Sequence, residues 1–224
     1  MNKPSEFTAS SSIAVSEEQA QVARVLKNTY LLLGMMLAFS SFTAWYSFSN
    51  NLPRPGILIT LVGFYGLMFG IHKAKNSALG LVFAFGLTGF MGYTIGPIIS
   101  AYVSAGAGET VSLALGMTAA VFVGMSAIAI ITKKDFSFLG SFLFAGGLVL
   151  MAVMLISFIF SVPGLSLAVS AGFALFASLC MLYETSRIVR GGERNYMIAA
   201  VGLFVSIYNL FLSLLHLLGA GGGD

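Results

Sequence analysis

"NNLPRPGILITLVGFYGLMFGIHKAKN", residues 50–76, decides the fold. Its apolar centre, 57–71, would reach about 22 Å as a helix, short of the roughly 30 Å hydrocarbon core of a bilayer. If this run crosses, the chain has seven spans and its two ends face opposite sides. Charge decides the matter. With seven crossings, Lys3, Arg24, Lys27, Lys73, Lys75, Lys133, Lys134, Arg187, Arg190 and Arg194 fall on one side and only Arg54 on the other. Without this crossing, only Lys3, Arg24 and Lys27 stay with the N-terminus. The positive-inside rule therefore prefers seven. Snorkelling of His72 and Lys73 can lengthen the short span.

The composition points to lipid as the solvent. Charged residues are 8% of the chain and hydrophobic ones 58%, against about 25% charged in an ordinary soluble domain. No soluble fold of this length can hide that much apolar surface. The apolar runs are continuous, so helices are expected rather than a barrel of alternating strands. The net charge of +3 is small and its basic residues are scattered, which gives no footprint for nucleic acid. Cys180 lies in an apolar run and reads as a small buried hydrophobe. The first apolar run follows a polar segment with Glu6, Glu17 and Glu18 and reads as a retained signal anchor, not a cleavable leader.

The expected architecture is an all-α integral membrane protein, a seven-helix transmembrane bundle. Residues 1–15 are rich in Ser, Thr and Ala and read as a disordered cytoplasmic tail. Ser16 and Gln19 fit a capping box and mark the expected helix start. The bundle runs over 16–218, with spans near 30–49, 57–71, 78–103, 110–131, 139–160, 165–183 and 196–218. Residues 219–224 read as a flexible tail. The breaks are "NNLPRPG", "HKAKN", "SAGAGE", "TKKDFS", "SVPG" and "RIVRGGERN", and connections this short predict sequential spans as antiparallel neighbours. Gly66 with Gly70, and Gly92 with Gly96, form GxxxG pairs that suit close helix packing. Gly96 and Pro97 could alternatively form a hinge.

Two polar features break the apolar pattern. Glu184, Arg187, Arg190, Glu193 and Arg194 cluster between the last two spans. Glu184 stands one turn before Arg187, a spacing at which side chains meet. The pair reads either as an interfacial ion pair or as a proton- or cation-responsive carboxylate at the mouth of a cavity. Gly191 suits the left-handed position that ends a helix. On the last span Ala199, Gly202, Ser206, Asn209, Ser213 and His216 recur at spacings of three and four and share one face. Small and hydrogen-bonding groups belong against other helices, which places the last helix in the bundle centre. That face reads as interhelical hydrogen bonding or as a polar path for an ion or proton. Glu184 and His216 stand about 30 Å apart along the membrane normal and cannot work as a pair. No nucleophile triad, metal-ligand spacing or phosphate loop is present, so neither catalysis, cofactor nor metal is expected.

"GFMGYTIGPIIS", "YETSRI" and "AAVGLFVSIYNLFLSLLHLLG", in that order, resemble the Bax inhibitor (TMBIM-like) family of seven-span proteins. The resemblance covers residue 20 to the end and is closest to its bacterial YccA-type branch. It implies an inner-membrane protein whose partners are the lipid bilayer and an FtsH-type membrane AAA protease, which it binds and restrains. Other members of the family are described as pH-sensitive calcium leak proteins, with an acid in the sixth span facing an acid in the seventh. Glu184 stands at the first position and Ser206 at the second, so the resemblance carries over only half of that pair. A calcium, cation or proton leak is the alternative function.

The topology has a direct test. Reporter fusions after residues 75, 134 and 192 are expected to read cytoplasm, and fusions after 52, 108 and the C-terminus the outside. A cytoplasmic C-terminus would mean that the run at 57–71 does not span.

Overall fold

A computed structural model describes residues 4–160 and 164–221. Among them the chain forms seven helices: α1 (Pro4–Ser49), α2 (Ile57–Lys73), α3 (Ala78–Ser104), α4 (Gly108–Thr132), α5 (Leu139–Phe160), α6 (Leu165–Val189) and α7 (Tyr196–Gly221). Six are long and apolar enough to cross a membrane, and α2, with 17 residues, is a shorter apolar helix. The chain is an all-helical membrane protein. Part of the expected "SVPG" break, residues 161–163, lies outside the described residues, as do residues 1–3 and 222–224 of the two expected tails.

Helix ends differ from expectation at both extremes. Helix α1 begins at Pro4 instead of Ser16. Pro4 fits the first helical turn, where no backbone N–H is needed. From there to Ser49 the sequence holds no second proline and only Gly34, so nothing stops the helix. Helix α7 continues through Gly221, past the expected end at residue 218.

Packing follows the glycines and not the order of the chain. Helix α1 packs on α3 rather than on α2, and α4 on α6 rather than on α5. The expectation that every sequential pair would be neighbours therefore fails for these two. The reason is visible on α3. A side chain at Gly89 would meet the Phe39 ring, one at Gly92 the Ser40 carbonyl and Thr43 hydroxyl, and one at Gly96 the Ser47 Cβ and Ala44 carbonyl. These three positions let two backbones approach where apolar burial alone gives no drive, since lipid is as apolar as the partner helix. Helix α2 offers no such face. A side chain at Gly66 would meet nothing, and those at Gly63 and Gly70 would meet the Phe90 and Phe83 rings of α3 rather than another backbone. The GxxxG reading therefore holds for Gly92 and Gly96 but not for Gly66 with Gly70. Ile57, Leu58, Ile59, Val62 and Phe69 of α2 are exposed, as suits a helix with one face to lipid.

Pro97 lies inside α3, which continues through it. Proline has no N–H, so the carbonyl four residues back, that of Tyr93, loses its helical partner. The hydroxyl of Ser47, fully buried on α1, donates to that carbonyl at 3.1 Å. Gly96 and Pro97, for which a hinge is the alternative reading, are thus engaged in the α1–α3 contact. Helix α7 packs against α1, α3, α4 and α6. Val201, Leu203, Phe204, Leu210 and Leu215 are among its fully buried side chains.

Candidate functional site

The site lies where α6 turns into α7. Helix α6 runs on past the expected end of the sixth span to Val189, and Gly191 closes it with φ 72. The Gly192 amide donates to the Arg187 carbonyl at 2.9 Å and the Gly191 amide to the Ile188 carbonyl at 3.0 Å. This double bond pattern satisfies the last carbonyls of the helix, and its left-handed residue is one that glycine adopts at little cost. Four residues on, the Asn195 side chain accepts from the Met197 and Ile198 amides at 3.0 and 3.1 Å and caps α7. Its own amide group donates to the Lys75 carbonyl and the Asn76 side chain at 2.9 and 3.0 Å. One asparagine therefore starts α7 and ties it to the α2–α3 connection.

Charged groups brace the same end. Arg187 pairs with Glu193 at 3.2 Å, whereas the sequence suggested Glu184 as its partner. The hairpin folds Glu193 back over the exposed Arg187, while Glu184 turns toward α7. Arg190 pairs with Asp135 of the α4–α5 connection at 3.0 Å, and the Ser186 hydroxyl donates to the Lys134 carbonyl at 3.1 Å. The Ser137 hydroxyl and then its amide donate to Asp135, and these bonds, helped by the Arg190 charge, hold its carboxyl below the usual carboxylate range.

Glu184 is half-buried and directed at the small face of α7. A Cβ at Gly202 would lie 2.5 Å from its Oε1, and the buried Ser206 donates its hydroxyl to Oε2 at 3.4 Å. The structure thus brings together the two positions that the family resemblance pairs, with a hydroxyl where a second acid would stand. Glu184 also lines a cavity of about 230 Å³ with Met68 and His72 of α2, Arg187, Glu193 and Gly202. The His72 Nδ1–H donates to the Met68 carbonyl at 2.9 Å. Its place beside Glu184 was not legible in the sequence, because α2 and α6 are remote in the chain. The Asn195 cap was legible in principle, as an asparagine immediately before an apolar run.

The polar face of α7 divides into two parts. Ala199 and Ser206 are buried toward Glu184, and Ser213 is buried further along. Asn209 and His216 are exposed in a separate crevice of about 670 Å³ between α5, α6 and α7, with Ser157, Ser166 and Ser170. The Ser170 hydroxyl donates to the Ser166 carbonyl at 3.0 Å, so the contact at 2.7 Å to His216 has the His216 Nδ1–H as donor. Ser213 lines this crevice too, and His216 stays against α6 through Ser170, so the outer part of the face keeps to α6 but opens to a different crevice from Glu184. The structure therefore does not join Glu184 and His216 in one line of contacts. Among the described residues no group of three or more His, Cys, Asp or Glu side chains is placed to hold a metal ion.

A family model described as "Inhibitor of apoptosis-promoting Bax1" matches residues 22–223. The chain belongs to this Bax inhibitor family. The Escherichia coli K12 protein named modulator of FtsH protease YccA is 49% identical over 201 residues, covering 90% of this chain and 92% of its own. A counterpart in E. coli O6:H1, at the same identity and coverage, is named inner membrane protein YccA. An uncharacterized Pseudomonas aeruginosa protein is 52% identical over 92% of this chain and 94% of its own. The two E. coli relatives carry the names of a modulator and a membrane protein, not of a catalytic family.

The contact between Glu184 and Gly202 predicts a specific coupling. Gly202→Leu is expected to destabilise the protein by about 1–3 kcal/mol, the usual range for overpacking. Most of the loss should disappear in the Glu184→Ala background, where the carboxylate no longer fills the space. Thermal or denaturant unfolding in detergent reads this out, and equal losses in both backgrounds would contradict the contact.

Proposed function

We propose that this chain is an inner-membrane protein that binds an FtsH-type protease and restrains its attack on other membrane proteins. The observation that carries the reading is the likeness to the E. coli modulator of FtsH protease over nearly the whole of both chains. The ten-to-one distribution of basic residues supports seven crossings, with the N-terminus cytoplasmic and the C-terminus periplasmic. In that orientation the α2–α3, α4–α5 and α6–α7 connections share the cytoplasmic face. Asn195, Ser186 and Arg190 tie them to one another, which favours a preformed surface for a cytoplasmic partner. The contacts of α7 with four other helices favour its reading as the axis of the bundle.

The leak reading finds less support at Glu184. A serine hydroxyl beside it cannot share a proton as a second carboxylate would.

The N-terminal segment supplies the handle in this reading. An ATP-driven protease must grip a segment on the cytoplasmic side, and residues 1–15 lack an apolar run that would hold them to the bundle. The next segment drawn in would be the rest of α1, residues 16–49, which is locked to α3 at Gly92, Gly96 and Ser47. A chain that is gripped easily but extracted slowly would occupy the protease and delay other substrates.

Affinity purification from native membranes in mild detergent, with pulse-chase in the same cells, tests this. The protease should co-purify with the full chain and with a variant lacking residues 2–15, and the variant should live longer. Absence of the protease from the full-length preparation would overturn the binding claim. Unchanged turnover of the variant would remove the N-terminal segment as the handle.

A further inference from the structure

The crevice of about 670 Å³ between α5, α6 and α7 lies at the end of the bundle that holds the α5–α6 connection. Helix α5 packs on α6 and stands off from α7, which leaves a gap over α6. Ser157 of α5, Ser166 and Ser170 of α6, and Asn209, Ser213 and His216 of α7 give this gap a polar lining. Ser166, in the first turn of α6, and His216 mark its mouth. Asn209 stands near the middle of α7, which runs from Tyr196 to Gly221. It is seven residues from His216, so the polar groups descend about 10 Å into the membrane.

The protein itself does not satisfy these groups. Asn209 is exposed, and its side-chain amide meets no partner among the described residues. Ser213 is 7% exposed and also has no partner among them, yet its hydroxyl is not enclosed as those of Tyr30, Ser126 and Thr185 are. The exposure it keeps is therefore in the crevice. His216 gives its Nδ1–H to Ser170 at 2.7 Å, which leaves Nε2 open. A hydrocarbon chain in the crevice would strand each of these groups, and polar side chains of a span belong against protein or water. The space holds several waters, and the lining offers each of them hydrogen-bond partners. Toward Glu184 the buried Leu203, Phe204 and Ser206 close α7 against its neighbours. The crevice and the Glu184 cavity share no lining residue.

We infer that this crevice is a blind vestibule filled with water, which enters at Ser166 and His216 and reaches Asn209 near the middle of the membrane. Its lining holds no Asp, Glu, Lys or Arg, so it takes water and small uncharged solutes and gives an ion no counter-charge. The inference depends neither on the protease reading nor on which side of the membrane the mouth faces, because Ser166 identifies the mouth within the test.

Introduced thiols test this, in a Cys180→Ala background that removes the chain's single cysteine. The purified full-length protein in sealed lipid vesicles is treated, from either face, with an anionic, membrane-impermeant methanethiosulfonate. A thiol reacts as its thiolate, and a thiolate forms readily only where water reaches it. Asn209→Cys and Ser213→Cys are expected to react from the face at which Ser166→Cys reacts, within about tenfold of its rate. Ile156→Cys is at an exposed position of α5 next to Ser157 but outside the crevice. It should react at least about a hundredfold more slowly, as a thiol whose pKa hydrocarbon raises by about two units would. Ser213→Cys exchanges a single atom, so the readout survives a failure of Asn209→Cys to fold. Ser157→Leu, which puts an apolar group half-way down the crevice, should slow both inner thiols and leave Ser166→Cys unchanged. If Ser213→Cys reacts no faster than Ile156→Cys, lipid or a packed helix fills the crevice and the proposal is overturned. Reaction only from the face opposite to Ser166→Cys would overturn it as well, as would rates at the inner thiols that ignore Ser157→Leu.

Discussion

Helix α3 gives up one backbone hydrogen bond at Pro97, and the bundle closes around its replacement. In a bilayer no water is available for a freed carbonyl, so another protein group must reach it. Ser47 does so at Tyr93, and it can because Gly92 and Gly96 remove the side chains that would hold α1 away. A proline that would weaken an isolated helix here fixes the register of two. The position of α1 on α3 leaves α2 on the far side of α3.

The opposite end of the molecule depends on the α6–α7 turn. Gly191 ends one helix, Asn195 begins the next, and between them Glu193 draws Arg187 away from Glu184. The Glu184 carboxylate is then left with a glycine and a serine of α7 as its near neighbours. The same turn holds the α2–α3 and α4–α5 connections through Asn195, Ser186 and Arg190. Position of the carboxylate and shape of the loop surface therefore share one cause.

Helices were legible in the sequence because continuous apolar runs end at clear proline, glycine and charge breaks. The family was legible from three ordered motifs, and the meeting of Glu184 with Ser206 from that resemblance. What escaped was mostly lateral. Sequence spacing cannot say that α1 prefers α3 to α2, since Gly66 and Gly70 look as suitable as Gly92 and Gly96 until the facing side chains are known. The pairing of Arg187 with Glu193 rather than Glu184 depends on how the turn folds back, which spacing along one helix does not contain. The polar stripe of α7 read as one seam, yet its outer part, Asn209, Ser213 and His216, lines a different crevice from the one at Glu184.

The role of Ser47 as the substitute for the missing N–H of Pro97 is the claim on which the packing of α1 rests. A double-mutant cycle of Ser47→Ala and Pro97→Ala, measured as unfolding free energy in detergent micelles, tests it most directly. Ser47→Ala alone should cost about 1–3 kcal/mol, the penalty of a buried acceptor left without a donor. In the Pro97→Ala background the restored amide can satisfy Tyr93 from within α3, and the same substitution should cost far less. Equal costs in the two backgrounds would show that Ser47 does not replace the lost hydrogen bond, and would contradict this account of how α1 and α3 are joined.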